Sequence, residues 1–279
     1  MTAQPTPAQA EAGTNAASDR GSYDDRWAAA VRQELAQACK EPGQILTEHD
    51  MAHLPEPVQR FLAASGVLGR RVPRTVRVET ELTFHRAPGD RGLTGASVQV
   101  NVFMRPSRVF LIRARMFGLP VRALHRYRGD EATFQVRAAG LLTMVDQRGD
   151  VLSRGETVTV LNDTCVFAPA VLAVDPRLDW QAIDDRTAGV TFRNGRWTVS
   201  ATLRFNERDE LVDFWSDDRG DYDGGQFIER RWSTPLSEHR EFSGLHLPGR
   251  GLTIYDRPSG QFVYGDFRIR SVEYDVAGD

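Results

Sequence analysis

The chain has 279 residues, of which 41% are hydrophobic and 26% charged, and its formal net charge is -3. This length allows one large domain or two small ones, and the charge excludes an overall basic field that would hold a nucleic-acid backbone. Cys39 and Cys165 are far apart and in no metal or redox spacing, which favours a reducing compartment. No run of about 18 apolar residues occurs, so the sequence predicts no membrane span.

The first 21 residues are rich in Ala, Thr, Gln, Pro, Gly and Ser and have no apolar segment of the kind that a secretory signal needs. We expect a disordered tail over residues 1–21, followed by a single sheet-rich domain over residues 22–279. The composition of the tail predicts a cytoplasmic protein.

Two helical regions are expected at the start of this domain. Ser22 can cap a helix whose first turn carries Asp24 and Asp25, and Trp27, Val31 and Leu35 form its apolar stripe. The helix should end before the Pro-Gly pair at 42–43. A second helical region is expected over residues 47–65, where Gly66 ends the pattern.

From Pro73 onwards the hydrophobic period changes from helical to two, which predicts strands. Short turns, such as those at residues 88–90, 118–120 and 129–130, separate successive strands and indicate an antiparallel meander. Strands resume at Trp197 and continue to Val276, with a phase change between Ile269 and Val272 that predicts a bulge. We count about ten strands in this pattern.

Residues 153–185 form the one long interruption between strands and predict a helical insert. The expected fold is α+β: a large curved antiparallel sheet, half-barrel or open barrel, with the N-terminal helices and the insert covering an apolar cavity. This cavity is the expected binding site. The side chains expected to contact a ligand there are Phe110, Ile112, Phe134, Phe167, Trp180, Trp197 and His239.

Two acids of the insert have two possible roles each. Ser153-x-x-Glu156 has the form of a capping box, which would explain Glu156 without catalysis; the alternative is a catalytic carboxyl group. Asp163 precedes a Phe-Ala-Pro break, where it could cap a second short helix or face the cavity as a buried acid.

His125 and Tyr127 are two residues apart on a predicted strand, so their side chains share one face. An imidazole and a phenol on a cavity face could supply acid-base chemistry near neutral pH, or they could be an ordinary packed aromatic pair. His125, Tyr127, Asp163 and Glu156 are the candidate catalytic residues.

No cofactor or metal site is predicted. His49 and His53 are four residues apart but lack the H-E-x-x-H order and a third ligand nearby. Asp184 and Asp185 are adjacent on extended chain and point to opposite faces, which favours a turn cap over a shared ligand. The aspartate-rich segment at 216–225 does not have the spacing of a calcium loop.

Several motifs of the chain resemble those of an uncharacterised bacterial family, a domain of unknown function. They fall within about residues 47–276 and comprise Leu54–Phe61, Arg154-Gly155-Glu156, Trp180–Asp185, Glu241–Pro248 and Val272-Glu273-Tyr274. Such proteins are similar at the level of fold to the lipoprotein-carrier (LolA-like) half-barrel, a curved sheet that holds lipid chains against a helical lid. The resemblance therefore implies the same kind of sheet and cavity.

The chain departs from this pattern near the expected cavity. Val166 stands where a tryptophan is expected, Pro169 comes one residue late, and His239 stands where a tyrosine is usual. We therefore expect the ligand to differ from that of relatives.

Three functions remain open, and the lack of a secretory signal favours the first of them, an enzyme, over the second, a lipid carrier. The first is a cofactor-independent cyclase or isomerase acting on a large apolar or amphipathic molecule. The second is a non-catalytic binder or carrier of a lipid-like molecule, and the third is a structural or interaction protein whose cavity is filled by its own side chains. We expect an apolar or amphipathic small molecule as the partner, with no nucleic acid; the sequence leaves the oligomeric state open.

Overall fold

The computed structural model describes residues 22–38, 41–140, 142–223 and 226–277. The predicted tail, residues 1–21, and Cys39 lie outside the described residues. The described part contains four α-helices: α1 Tyr23–Gln37, α2 Glu48–Met51, α3 Glu56–Ala64 and α4 Asp150–Phe167. The second predicted helical region is divided into α2 and α3, because Leu54 precedes a proline and that position disfavours helical backbone.

Eighteen strands are present in the described residues. They are β1 Thr75–Phe84, β2 Leu93–Val102, β3 Ser107–Met116, β4 Leu119–Arg128, β5 Glu131–Ala138, β6 Leu142–Arg148, β7 Leu178–Asp184, β8 Thr187–Asn194, β9 Trp197–Phe205, β10 Leu211–Ser216, β11 Gly220–Asp223, β12 Gln226–Glu229, β13 Trp232–Ser233, β14 Leu236–Ser237, β15 Arg240–Phe242, β16 Leu245–Leu247, β17 Arg250–Arg257 and β18 Gly260–Tyr274.

Fourteen of these strands form one sheet in the order β6-β5-β4-β3-β2-β1-β18-β17-β13-β10-β9-β8-β7, with β14 also paired to β17. All pairings described within it are antiparallel, as predicted, and the sheet is open, with β6 and β7 at its edges. The expected count of about ten strands was too low. The additional strands include very short ones, β13 to β16, which have two or three residues each and show no alternation to detect.

Helix α1 packs on the outer face of the sheet, against β2, β3 and β4. It begins as the sequence predicts, with a capping box between Ser22 and Asp25. Its buried Tyr23 and Val31 pack on side chains that point to the outer face of the sheet, such as Val98. The expectation that the N-terminal helices cover the cavity is therefore wrong for α1, which lies on the opposite face of the sheet.

Helix α4 joins the two edge strands, β6 and β7, and so must cross the inner face of the sheet. It packs against β5 and β6 near one edge and against β9 and β10 towards the other, so the sheet curves around it. Nearly the whole surface of α4 is buried, which lets a helix rich in Thr and Val persist despite weak intrinsic propensity.

The insert is shorter than predicted and begins earlier. Helix α4 starts at Asp150, and a short 3₁₀ helix, Pro169–Ala173, follows it. Trp180, Ile183 and Asp184 belong to β7, not to the insert. No helix of the described residues is long and apolar enough to cross a membrane.

Candidate functional site

A cavity of about 570 Å³ lies between α4 and the inner face of the sheet. Alternate residues of neighbouring strands point into it, because successive side chains of a strand point to opposite faces. On β3 these are Phe110, Ile112 and Ala114, and on β4 the cavity side includes Val121 and Ala123. This part of the wall is therefore apolar.

The middle of the α4 face that borders the cavity is polar, and Leu152 and Phe167 flank it. Glu156, Thr159 and Asp163 recur at helical spacing and line the cavity. Leu161 and Cys165, which do not line the cavity, belong to the main hydrophobic core. Burial raises the pKa of the Cys165 thiol, so this cysteine is a buried thiol and not a reactive thiolate.

Arg108 is the centre of the polar end of the cavity. Its Nε donates to Asp163 Oδ2 at 2.8 Å, its Nη2 donates to Gln99 Oε1 at 3.1 Å, and its Nη1 lies 3.5 Å from Glu156 Oε2. The guanidinium also lies over the ring of Phe110, 4.3 Å from its centroid. Each donating nitrogen of Arg108 thus has a partner within the protein.

A second arginine, Arg219, meets the same helix from the other side of the cavity. Its Nη2 donates to Glu156 Oε1 at 3.2 Å, and its Nη1 donates to the hydroxyl groups of Tyr255 at 2.6 Å and Tyr264 at 3.2 Å. Its Nε donates to Thr159 Oγ1 at 3.1 Å. Burial acts to lower the pKa of Arg219, but Tyr255, Tyr264 and Glu156 together raise it, so the guanidinium remains charged.

The two carboxyl groups have different environments. Burial would raise the pKa of Glu156, but His125, Arg108 and Arg219 outweigh it and hold the pKa below its usual value. Burial prevails at Asp163 and raises its pKa, although Arg108, Asn101 and Gln99 oppose the shift through charge and hydrogen bonds. Glu156 is therefore the firmly ionised acid of the pair.

His125 is the titratable side chain at this end of the cavity with an unsatisfied atom. Its buried Nε2 has no hydrogen-bond partner among the described residues and lies 3.5 Å from Glu156 Oε2. Its ring packs against Phe134, with centroids 5.0 Å apart. Burial, together with Arg108 and Arg219, outweighs Glu156 and lowers the pKa of His125 to about 4. The imidazole is thus neutral at pH 7. We call Arg108, Arg219, Glu156, Asp163 and His125 the polar cluster.

Because of the low pKa of His125, we expect the free energy of unfolding to depend on pH. The unfolded chain binds this proton near pH 6.5, whereas the folded state binds it only near pH 4. Between these pH values the unfolded state binds more protons than the folded state. The stability that His125 contributes is therefore fully present above pH 6.5 and is lost as the pH falls to 4. We expect a loss of about 3 kcal/mol from this group, measured by urea unfolding at a series of pH values.

A matched pair of variants isolates this group. His125→Phe should flatten the pH dependence between 6.5 and 4, while His53→Phe, at an exposed position, should keep the slope of the parent protein. Equal slopes in His125→Phe and the parent would contradict the prediction.

The structure brings seven of the predicted site residues to the cavity: His125, Glu156, Asp163, Phe110, Ile112, Phe134 and Phe167. The capping interpretations of the two acids are wrong. Glu156 lies in the second turn of a helix that Gly149 precedes, and Asp163 lies within α4, while Ala168 precedes the 3₁₀ helix. Both acids are bound to Arg108 instead.

Four predicted site residues lie away from the cavity. Tyr127 is in the main core, hydrogen-bonded to Thr157 Oγ1 and Asn194 Nδ2, both at 2.8 Å. Trp197 donates to Asp130 O, His239 lies 3.0 Å from Leu211 O, and Trp180 packs on the main core. Although His125 and Tyr127 share a strand face, only His125 lines the cavity, because the Tyr127 hydroxyl lies against Thr157 of α4 and Asn194 of β8.

The sequence interpretation missed Arg108, Arg219, Gln99, Tyr255 and Tyr264. Arg108 had a signal, because it continues the inward alternation of Phe110 and Ile112 by one step. Arg219 had none, since it lies in the aspartate-rich segment that resembles a solvated loop. Among the described residues, no group of three or more His, Cys, Asp or Glu side chains is arranged to hold a metal ion.

Solved structures with related shapes include a LolA superfamily protein from Nitrosomonas europaea and a DUF1329 family protein from Desulfovibrio piger. The first has 12% sequence identity and a TM-score of 0.44, over 78% of this chain and 94% of the other. The second has 13% identity and a TM-score of 0.35, over 79% of this chain and 92% of the other. At these scores neither likeness defines a ligand for this chain.

No curated protein matches the sequence. A family model does match it over residues 44–267, which include β1 to β17, the first eight residues of β18, α4 and every member of the polar cluster. The chain belongs to DUF6544, a family of unknown function, as the motifs of the sequence predicted.

Proposed function

We propose that the cavity binds a single molecule with a long apolar body and an uncharged polar head. The observation that carries this proposal is the arrangement of its wall, in which apolar rows end at one cluster of buried polar groups. Along β4, for example, Val121 and Ala123 lead to His125. A molecule of matching polarity would bury its apolar body against the rows and place its head at the polar cluster.

The charges of the polar cluster support an uncharged head. Two guanidinium groups, Arg108 and Arg219, face two carboxyl groups, Glu156 and Asp163, and their donors are already directed at protein acceptors. Asp221, also on the wall, is paired with Arg257 at 2.8 Å. An ionised head would be desolvated here without a free counter-charge, which costs several kcal/mol as an order of magnitude.

His125 offers a contact for the head. A buried polar atom without a partner is costly, and a hydroxyl or carbonyl group of a ligand would satisfy Nε2. Thr253 also lines the cavity with an unpaired buried hydroxyl group, Oγ1. Both groups recognise neutral hydrogen-bonding atoms.

The length of the wall supports an extended ligand. On β4 the lining side chains run from Val121 to His125, four residue steps, which corresponds to roughly 13 Å of strand. The cavity reaches the surface at the turn after β1, since Arg86 lines it and its side chain is 71% exposed.

These contacts favour binding, the second of the three functions, over the cyclase or isomerase activity that the sequence analysis expected. Tyr127, the partner that His125 would need for paired acid-base chemistry, is hydrogen-bonded elsewhere. Arg108 and Glu156 hold each other in place and present no free proton donor at pH 7. We therefore propose a carrier or sensor of a neutral lipid-like molecule.

The test compares two ligands that differ in the head alone. Delipidated protein is incubated with hexadecanol or with palmitic acid at pH 7, and occupancy is measured by native mass spectrometry. We expect the alcohol to bind at least about tenfold more tightly than the acid, a difference of about 1.4 kcal/mol. Equal or tighter binding of the acid would overturn the uncharged-head proposal, and binding of neither would overturn the lipid-like ligand.

A further inference from the structure

The turns β1–β2, β3–β4 and β5–β6 all lie at the same end of the sheet, because the strands between them alternate in direction. This is also the end where the cavity reaches the surface, since Phe84 and Leu93, which flank the β1–β2 turn, line it. The side chains exposed on these turns therefore determine which surfaces can approach the mouth of the cavity.

Large apolar side chains are exposed at this end. Phe117 is 93% exposed, Leu119 54%, Leu142 66% and Met144 46%. We call these four residues the apolar tips. They belong to two adjacent hairpins, so the exposed side chains are neighbours in one surface region beside the mouth, and not singly scattered.

Phe117 has no role in the fold that explains its presence. It occupies a left-handed backbone conformation, with φ of 51°, and Gly118 follows with φ of 81°, as in a two-residue hairpin turn. Asn, Asp or Gly suits the Phe117 position best, whereas a bulky side chain is strained there. An exposed phenyl group in a strained position gains nothing from intramolecular packing, which indicates a contact outside the chain.

The charge around the apolar tips indicates what that contact is. Of the six arginines in residues 107–128, Arg108 is buried in the polar cluster, and Arg113 and Arg122 pair with Asp24, so the turns determine the charge beside the tips. Three arginines, Arg86, Arg91 and Arg115, are exposed at or beside the β1–β2 and β3–β4 turns. The one acid of these two turns, Asp90, contacts His85 and Arg86. Apolar side chains surrounded by arginines match the interface of a bilayer that contains anionic lipids.

We propose that the apolar tips insert into the surface of a membrane containing anionic lipids, with the mouth of the cavity facing the bilayer. Membrane docking itself is independent of the cavity's contents. One consequence rests on the proposed function: docking would let a long apolar ligand pass between the bilayer and the cavity without crossing water.

The test is sedimentation of the full chain with vesicles of phosphatidylcholine containing about one third phosphatidylglycerol, beside vesicles of phosphatidylcholine alone. We expect binding to the anionic vesicles that weakens as salt is added, because exposed arginines are screened. The double variant Phe117→Asn, Leu119→Ser should bind at least about fivefold less. Ile183→Asn, which removes an equally apolar side chain that is 53% exposed on β7, should bind like the parent protein.

Misfolding cannot mimic this result. Asparagine suits the left-handed position better than phenylalanine, so Phe117→Asn should keep or raise the melting temperature while losing vesicle binding. Hexadecanol occupancy of the double variant in solution should equal that of the parent, which separates a failure of docking from a failure of the cavity. Unchanged vesicle binding in the double variant would overturn the proposal, as would a dimer that the same substitutions dissociate in a protein that binds no vesicles.

Discussion

Arg108→Met is expected to lower the free energy of unfolding by about 3–5 kcal/mol, because it leaves two buried carboxyl groups without their shared cation. The side chains of Arg108, Glu156 and Asp163 are only 8%, 3% and 8% exposed, so water compensates poorly for the lost interaction. Methionine keeps much of the volume and the packing on Phe110, which confines the change to charge and hydrogen bonds. Urea unfolding at pH 7 measures the difference.

The same strand supplies the control. Arg115→Met removes an exposed arginine from β3 and should change stability by no more than about 0.5 kcal/mol. Adding Asp163→Asn to Arg108→Met should recover part of the lost free energy of unfolding, because it removes one buried carboxylate that has no cation beside it. A loss below about 1 kcal/mol for Arg108→Met would show that the polar cluster is not held by this cation.

The pH dependence of the Arg108→Met variant provides a second check. Without Arg108, burial raises the pKa of Asp163 in the folded state further above its value in the unfolded chain. A group with a raised folded pKa contributes stability that is present below the unfolded pKa and is lost as the pH rises through the folded pKa. The difference in free energy of unfolding between Arg108→Met and the parent protein should therefore be smaller near pH 4 than at pH 7.

Much of the sheet could be predicted because its signals are local. The alternation of Val76 and Val78 with charged residues, and the short turns between strands, specify an antiparallel meander. The phase change before Val272 also has a structural counterpart. Thr80 pairs with Ile269 and Glu79 with Ser271, which leaves Arg270 as the extra residue of a bulge.

The helix that builds the site was less predictable. Ser153-x-x-Glu156 satisfies a capping pattern, but the chain becomes helical three residues earlier, and Ser153 Oγ instead binds Gly149 O and Ala132 N. When both faces of a helix are buried, apolar periodicity no longer marks its ends. Threonine also has a low intrinsic helix propensity, and in the structure Thr157 Oγ1 donates to Ser153 O, one turn back.

The polar cluster depends on contacts between distant parts of the chain, which no local pattern encodes. Glu156 meets Arg108, 48 residues earlier, and Arg219, 63 residues later. Arg219 in turn needs Tyr255, 36 residues beyond it. Only the path of α4 across the sheet brings these residues together. Sequence reasoning could therefore propose an acid in the insert, but it could not identify the cations that determine its role.

Ala123→Trp is expected to reduce hexadecanol binding by about tenfold or more, because the indole would occupy the middle of the cavity. Ala123 is buried on the inner face of β4, between Ile112 and Val136 on the neighbouring strands, and all three line the cavity. Because the space is already empty of protein atoms, the added ring should not strain the core as overpacking does. Native mass spectrometry of the delipidated protein with hexadecanol measures the loss.

Ala96→Trp is the matched control, since it adds the same ring to the outer face of the adjacent β2 and should leave hexadecanol binding unchanged. The thermal unfolding of both variants should remain close to that of the parent protein. If Ala123→Trp binds hexadecanol as well as Ala96→Trp does, the ligand does not lie between α4 and the sheet. The unpaired Nε2 of His125 would then need an explanation within the fold, because a buried polar atom without a partner is costly wherever the ligand binds.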